Sequence, residues 1–335
     1  MMRSPAPAVR LASIDLGTLT CRLLIADLAG HCLLQECYSD RRILRLGEGV
    51  DRTKQLNSVA MERVIDCLRE WRTVIDRYGV SGWAVVATSA VRDASNRDEF
   101  LDRVKRETGF EIEVITGEEE ARRTLLGMRA GLVPGVTDLL ALDIGGGSTE
   151  LIFDRQDGHL IVRSIDIGVV RLCERVLKHD PPTTEEIEQA QEWVQRETQA
   201  AVSEMTGYQS AVFVGTAGTI TTLAAMAQQL PAYEPARIHH YTLTMSAVRE
   251  LEGMLLSRRT VDRVGLPGLE QNREEVIAAG VLIVRTMMQT LGMSKLLVSD
   301  LGLREGVLID LAMKWSKREG ADGLTRHAHE YRSKS

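Results

Sequence analysis

Twice in this chain an apolar run ends in an aspartate and passes at once into a glycine turn. Leu139-Leu-Ala-Leu-Asp-Ile-Gly-Gly-Gly-Ser-Thr-Glu150 is the fuller copy and Leu11-Ala-Ser-Ile-Asp-Leu-Gly-Thr-Leu-Thr20 the leaner one. A buried strand that delivers a carboxylate into such a turn suits phosphate and metal chemistry. Gly145, Gly146 and Gly147 let backbone N–H groups approach anionic oxygens without Cβ interference, and Asp143 can hold a divalent cation over the same oxygens. One Gly-Gly-Gly alone would read as an ordinary strand–turn–strand. The repetition argues otherwise: Asp15, Gly17, Leu23, Gly30 and His31 recur in register as Asp143, Gly145, Leu151, Gly158 and His159. A match of that length without a gap indicates two domains built on one plan, each offering an Asp-tipped phosphate loop.

A third anion-binding candidate is Gly215-Thr-Ala-Gly-Thr-Ile220, which follows an apolar strand and opens a helix, so that free N–H groups lie at the positive end of a dipole. Gly117-Glu-Glu-Glu-Ala-Arg122 sets three carboxylates in a first helical turn. The dipole alone favours acids there, and spacing does not choose which of them, if any, takes a proton from an attacking water. Thr88-Ser-Ala-Val-Arg-Asp-Ala94 follows another apolar strand. Its Arg92 either clamps a phosphate or pairs with Asp93 or Asp98.

The elements that must position these residues alternate between strands and helices. Val9 to Ile25 and Cys32 to Arg42 read as strands turning at Gly17 and Gly30. Ser58 to Tyr78 reads as an amphipathic helix capped by Ser58, with Met61, Val64, Ile65, Leu68, Trp71, Ile75 and Tyr78 on one face. A strand over Trp83 to Thr88 leads to a helix from Asn96 to Thr108, with Glu99 in capping-box position. Then come a strand over Glu111 to Ile115 and a helix from Gly117 to about Gly131. After Pro134-Gly135 the plan restarts with a strand over Asp138 to Asp143 and a hairpin at Asp157-Gly158. It continues with a helix over Thr184 to Met205, a strand over Val212 to Gly215 and a helix to Gln229. A helix over Arg273 to Leu291, a strand over Lys295 to Ser299 and a helix over Gly302 to Met313 complete it. The expected fold is α/β: two domains with mixed sheets flanking an interdomain cleft.

At 335 residues, 44% apolar and 26% charged, the chain has the profile of a soluble globular protein with room for two cores. A net charge of −6 argues against nonspecific nucleic-acid binding, and a polyanionic substrate must then be received by local basic groups or metal ions. Five cysteines without Cys-x-x-Cys spacing fit a reducing cytoplasm. Met1 to Arg10 lacks the apolar core of a signal peptide, and no apolar stretch approaches membrane-spanning length. His327 and His329, in a charged tail, read as solvated rather than metal-binding.

In order along the chain, Asp15-x-Gly, Thr88-Ser-Ala-Val-Arg-x-Ala, Gly117-x-Glu-Glu-Ala-Arg, Asp143-Ile-Gly-Gly-Gly-Ser-Thr-Glu, Gly215-x-x-Gly-Thr-Ile and Ser299-Asp-x-x-Leu-Arg-Glu-Gly306 resemble the exopolyphosphatase / guanosine pentaphosphate phosphohydrolase (Ppx/GppA) family. The resemblance runs from about Leu11 to Asp310. It implies two ribonuclease-H-like domains of the actin/hexokinase type, here residues 1–130 with about 306–335, and 131–305. It implies a phosphohydrolase in which Glu120 is the base for water, Arg92 stabilises the transition state, and Asp143, Glu150 and Asp15 surround Mg²⁺. Gly17, Thr18, Gly145 to Ser148, Gly215, Gly218, Thr219 and Arg273 would contact phosphates. The implied substrates are inorganic polyphosphate or guanosine pentaphosphate, and the implied setting is a cytoplasmic homodimer that meets neither nucleic acid nor membrane.

One position departs from the pattern. Leu19 stands where the family's first loop carries an amide, and a lost donor there costs roughly 1–3 kcal/mol if its oxygen partner goes unpaired. That motivates one alternative, a binding protein that senses polyphosphate or the alarmone. An ATP-dependent small-molecule kinase of the same fold is another, and the Glu-Glu-Ala-Arg and Leu-Arg-Glu-Gly segments speak against it.

Overall fold

The computed structural model describes residues 9–29, 33–133 and 135–315. The turn at Gly30 and His31, Pro134, and the tail with His327 and His329 lie outside the described residues. Two sheets carry the fold. The first contains β1 (Val9–Leu16), β2 (Thr20–Ala29), β3 (Leu33–Ile43), β4 (Gly82–Ala87) and β5 (Ile112–Val114) in the order β3-β2-β1-β4-β5. The second contains β6 (Leu139–Ile144), β7 (Thr149–Asp154), β8 (Leu160–Ile165), β9 (Val212–Thr216), β10 (Thr242–Thr244) and β11 (Lys295–Val298) in the order β10-β11-β9-β6-β7-β8. In each, three antiparallel strands adjoin two parallel ones: β1 pairs antiparallel with β2 and parallel with β4, and β6 does the same with β7 and β9. The duplication read from the sequence is therefore a duplication of topology, with β10 added antiparallel at one edge.

The helix Ser58–Arg77 lays Val64, Ile65, Leu68, Trp71 and Ile75 into the core over the first sheet, beside Phe100 and Val104 of the helix Arg97–Thr108. Each such side chain contributes roughly 1.5–3 kcal/mol by leaving water. A larger core in the second half joins Ile220 and Leu223 to Val281, Leu282 and Met288 of the helix Ile277–Thr290.

Two helices are exchanged between the halves. The helix Gly117–Gly131 follows the first sheet but packs Ala121, Leu125 and Met128 against Leu139, Ala141 and Ile152 of the second. The helix over 303–315 follows the second sheet but packs Leu308 and Ala312 against Leu11 and Leu24 of the first. They cross at glycines, where a Cβ at Gly306 would run into the Arg123 carbonyl and one at Gly127 into the Gly302 carbonyl. That is why the Leu-Arg-Glu-Gly segment ends in glycine.

Three local expectations are corrected. Asn57, not Ser58, caps the helix Ser58–Arg77, its side chain accepting from the Val59 N–H. Asn96 makes no capping bond, because its amide is bound to both backbone groups of Leu56, and no capping box forms with Glu99. The helix expected from Arg273 begins at Ile277; Asn272 has φ +69°, which holds Arg273 ahead of the helix.

Candidate active site

Both Asp-Gly loops close with the same bond: the Gly17 N–H donates to the Thr20 carbonyl at 3.0 Å, and the Gly145 N–H to the Ser148 carbonyl at 3.0 Å. The loop carbonyls are then taken from outside. Val169 and Val170 N–H groups donate to Gly145 and Gly146, and Gly47 and Leu44 N–H groups donate to Thr18 and Leu19. Across a trans peptide the N–H points opposite to the carbonyl, so the N–H groups of Gly146 and Gly147, and of Leu19 and Thr20, are turned the other way. Those residues line one narrow cavity of about 60 Å³ between the halves.

Of the residues singled out in the sequence, Asp15, Gly17, Thr18, Glu120, Asp143, Gly145, Gly146, Gly147, Ser148, Gly218, Thr219 and Arg273 all line that cavity. Arg273 lies over Gly218, where a Cβ would occupy the guanidinium's place; it reaches the Thr20 hydroxyl at 3.3 Å and is held by Glu270. Arg92 stands behind the lining, donating to the Glu120 carboxylate at 3.3 Å and to the Ile115 carbonyl at 2.9 Å. Glu150 lies directly across the strands from Asp143 and accepts from the Ser164 hydroxyl at 2.8 Å. Glu150, like Arg92, is absent from the lining, and so is Gly215: it lies within β9, and a Cβ there would meet Ile220 and Leu296 side chains, so its smallness serves strand packing.

The acids are buried together. Burial pushes the Glu120 carboxyl well above its usual range, and the neighbouring Glu150 and Asp143 push it further against the pull of Arg92. Burial and then Asp143 carry Glu150 up to about 8. Burial raises Asp15 to about 6, with Arg22 at 3.9 Å opposing. Asp143 is raised by burial too, and its Oδ2 accepts from the Thr124 hydroxyl at 3.2 Å.

This donor set fits a hard cation. It offers oxygens only, it is short of positive charge, and Asp15 Oδ1 is buried with no hydrogen-bond partner. Among the described residues no three His, Cys, Asp or Glu side chains enclose a metal unaided, so water and phosphate oxygens would complete the shell.

Sequence reasoning passed over five contributors. Arg22 lines the cavity and faces Asp15 across the strands. The duplication could have found it, because it is the counterpart of Glu150. Ser89 bonds the Thr18 hydroxyl at 2.9 Å, and Ser164 and Thr124 hold the two acids; lone hydroxyls gave no signal for these. Ala217, which lines the cavity at the start of the helix Ala217–Ala227, has φ +71°, a strained conformation for a residue with a Cβ.

Fold and site together define an actin/hexokinase-type pair of domains around a cleft lined by two glycine loops and buried acids. The chain belongs to the Ppx/GppA phosphatase family, whose model matches residues 24–315. Exopolyphosphatase 2 of Mycobacterium tuberculosis is 34% identical over 317 residues, 90% of this chain and 98% of that protein. The crystal structure of the Aquifex aeolicus family member superposes with TM-score 0.78 at 36% identity, covering 92% of this chain and 99% of that one. An exopolyphosphatase from Cytophaga hutchinsonii gives TM-score 0.84 at 26% identity, covering 91% and 98%. No helix among the described residues is long and apolar enough to cross a membrane.

Proposed function

We propose that this protein is a Mg²⁺-dependent phosphohydrolase that releases the terminal phosphate of inorganic polyphosphate or guanosine pentaphosphate. The observation that carries the reading is Glu120, a buried carboxylate beside Arg92 that lines the same cavity as the two glycine loops. The names of the exopolyphosphatase relatives support it.

In this reading the loop N–H groups, with Gly218, Thr219 and Arg273, orient the terminal phosphoryl group in line with a water. Glu120 takes the proton of that water, and burial, by raising the affinity of its carboxyl for protons, strengthens it as a base. Arg92 holds Glu120 at its post and stabilises charge as it develops. Asp143, Asp15 and Glu150 would hold Mg²⁺, which when bound neutralises phosphoryl oxygens. We assign residues 1–130 with about 306–335 to one half of the chain and 131–305 to the other, with the helix Gly117–Gly131 lent by the first half to the second sheet, and infer a cytoplasmic homodimer.

The test is phosphate release from polyphosphate, guanosine pentaphosphate and ATP, measured side by side with Glu120→Gln. Removing a general base lowers kcat by about 10²–10⁴-fold while phosphate-chain binding persists. Near-normal turnover by the variant would reject Glu120 as the base.

A further inference from the structure

Beyond the phosphate loops the cleft opens into a second cavity of about 300 Å³, and Arg22 and Asp143 line both. A substrate longer than the inner cavity can continue past Arg22 into the outer one. The charges there are unequal and mostly committed. Arg41 is paired with Glu270 at 2.9 Å and stacked on the Tyr233 ring at 4.3 Å, and Arg304 donates to Glu305 at 2.7 Å. Among the described residues Arg22 makes one ion pair, with Asp15 at 3.9 Å, and its charge also reaches Asp143 and Glu270. Four further carboxylates line the outer cavity. Asp40 is held by Arg42 and Trp71, Asp300 by the Tyr233 hydroxyl, Glu305 by Arg304 and the Gly302 N–H, and Glu36 by the Ser39 hydroxyl at 2.6 Å, with Arg304 acting on it from farther off. Beyond Arg22 the outer cavity holds two arginines, both already paired, against four carboxylates, so it receives a polyanion poorly.

We propose that this acid-lined outer cavity makes the enzyme selective for short anionic chains and discriminates against long polyphosphate. The proposal rests on the phosphohydrolase reading above and adds its substrate range. A terminal phosphate can occupy the loops whatever the chain length. Each further phosphoryl group that enters the outer cavity meets like charge, which costs binding energy. Glu36 is the residue best placed to tune this, because it is exposed on β3 and its replacement disturbs no core contact.

The experiment compares kcat/KM per chain end for tripolyphosphate and long-chain polyphosphate at fixed Mg²⁺, at low and high ionic strength, for the natural protein and Glu36→Lys. The expected result is a preference for tripolyphosphate of about tenfold or more at low salt, equivalent to ~1.4 kcal/mol. High salt should shrink that preference, because screening shortens the reach of the repelling charges. Glu36→Lys should shrink it too. Equal or better turnover of the long chain at low salt overturns the proposal while leaving the phosphohydrolase reading standing. A preference unmoved by both salt and Glu36→Lys overturns it as well, since the discrimination would not be electrostatic. Release of phosphate from neither substrate overturns the proposal and removes polyphosphate from the phosphohydrolase reading, which then stands or falls on guanosine pentaphosphate.

Discussion

The two Asp-Gly loops share a turn and differ in everything around it. At the duplicated position after each aspartate the first half carries Arg22 and the second Glu150, so Asp15 faces a cation across the strands and Asp143 faces another acid. The loops themselves diverge in the same sense. Thr18 and Leu19 are buried and anchored: the Thr18 hydroxyl binds Ser89, and Leu19, 4% exposed, packs into the core of the opposite half. Their counterparts Gly146 and Gly147 have no side chains, and a Cβ at Gly146 would lie 2.9 Å from Thr18 Cβ. One copy has become the anchor, electrically compensated and packed. The other has become the open cradle, crowded with acid that Arg92 and Arg22 offset only in part. Duplication supplied the strand–turn frame, and the division of labour was written into side chains two to seven residues from each aspartate.

The anchoring role is broken most directly at Leu19. Leu19→Ala removes a buried side chain that bridges the halves, and a cavity of that kind costs about 2–5 kcal/mol. Equilibrium denaturation should show that loss. A change below about 0.5 kcal/mol, the range of an ordinary surface substitution, would mean the side chain anchors nothing. The burial also answers the question raised by the missing amide: the side chain faces the core, and the backbone N–H groups are what this loop turns toward the cavity.

Much of this was legible in the residues. The Asp-x-Gly repeat gave the paired sheets, and helical periodicity gave the buried face of Ser58–Arg77. Periodicity reports that a helix has an apolar face, however, and not what that face meets. The exchange of Gly117–Gly131 and the 303–315 helix between sheets was therefore invisible, although Gly127 and Gly306 mark the crossing. The three-residue strand β10 is too short to show any period. Gly215 misled because a glycine near a strand end reads alike whether it serves a ligand or the packing of Ile220 and Leu296. Among the three glutamates of Gly117-Glu-Glu-Glu, only coordinates distinguish Glu119, which closes a capping box with Thr116, from buried Glu120.

The acid-crowded half is sharpened by Glu150→Gln. A carboxyl whose affinity for protons is raised on folding stabilises the folded state at low pH and loses that contribution as its charge is forced on it. For Glu150 the loss runs from about 4.5, its ordinary value, up to about 8. Glutamine keeps the shape without the charge. The variant should therefore match the natural protein near pH 4 and exceed it by about 2–4 kcal/mol near pH 9 in the absence of divalent ions. Saturating Mg²⁺ should narrow that gap, since a cation bound to the folded state stabilises only the protein that can hold it. A variant no more stable at pH 9 than at pH 4, relative to the natural protein, would show that the acids are not in conflict.

The matching substitution in the first half should act with the opposite sign. Arg22→Gln removes the cation that opposes the burial of Asp15, so the Asp15 carboxyl would move above its present value of about 6. The folded state then carries a larger penalty wherever Asp15 is ionised and none where it is protonated. At 3.9 Å, with Arg22 one-fifth exposed, the pair is worth about 1 kcal/mol after screening by solvent. Stability near pH 8 should fall by that amount and stability near pH 4 should hold. Charge removal at one duplicated position would thus stabilise the protein in one half and destabilise it in the other, with both effects confined to high pH. Two changes of the same sign at pH 8 would mean that the halves do not differ in compensation, and the contrast between anchor and cradle would reduce to packing alone.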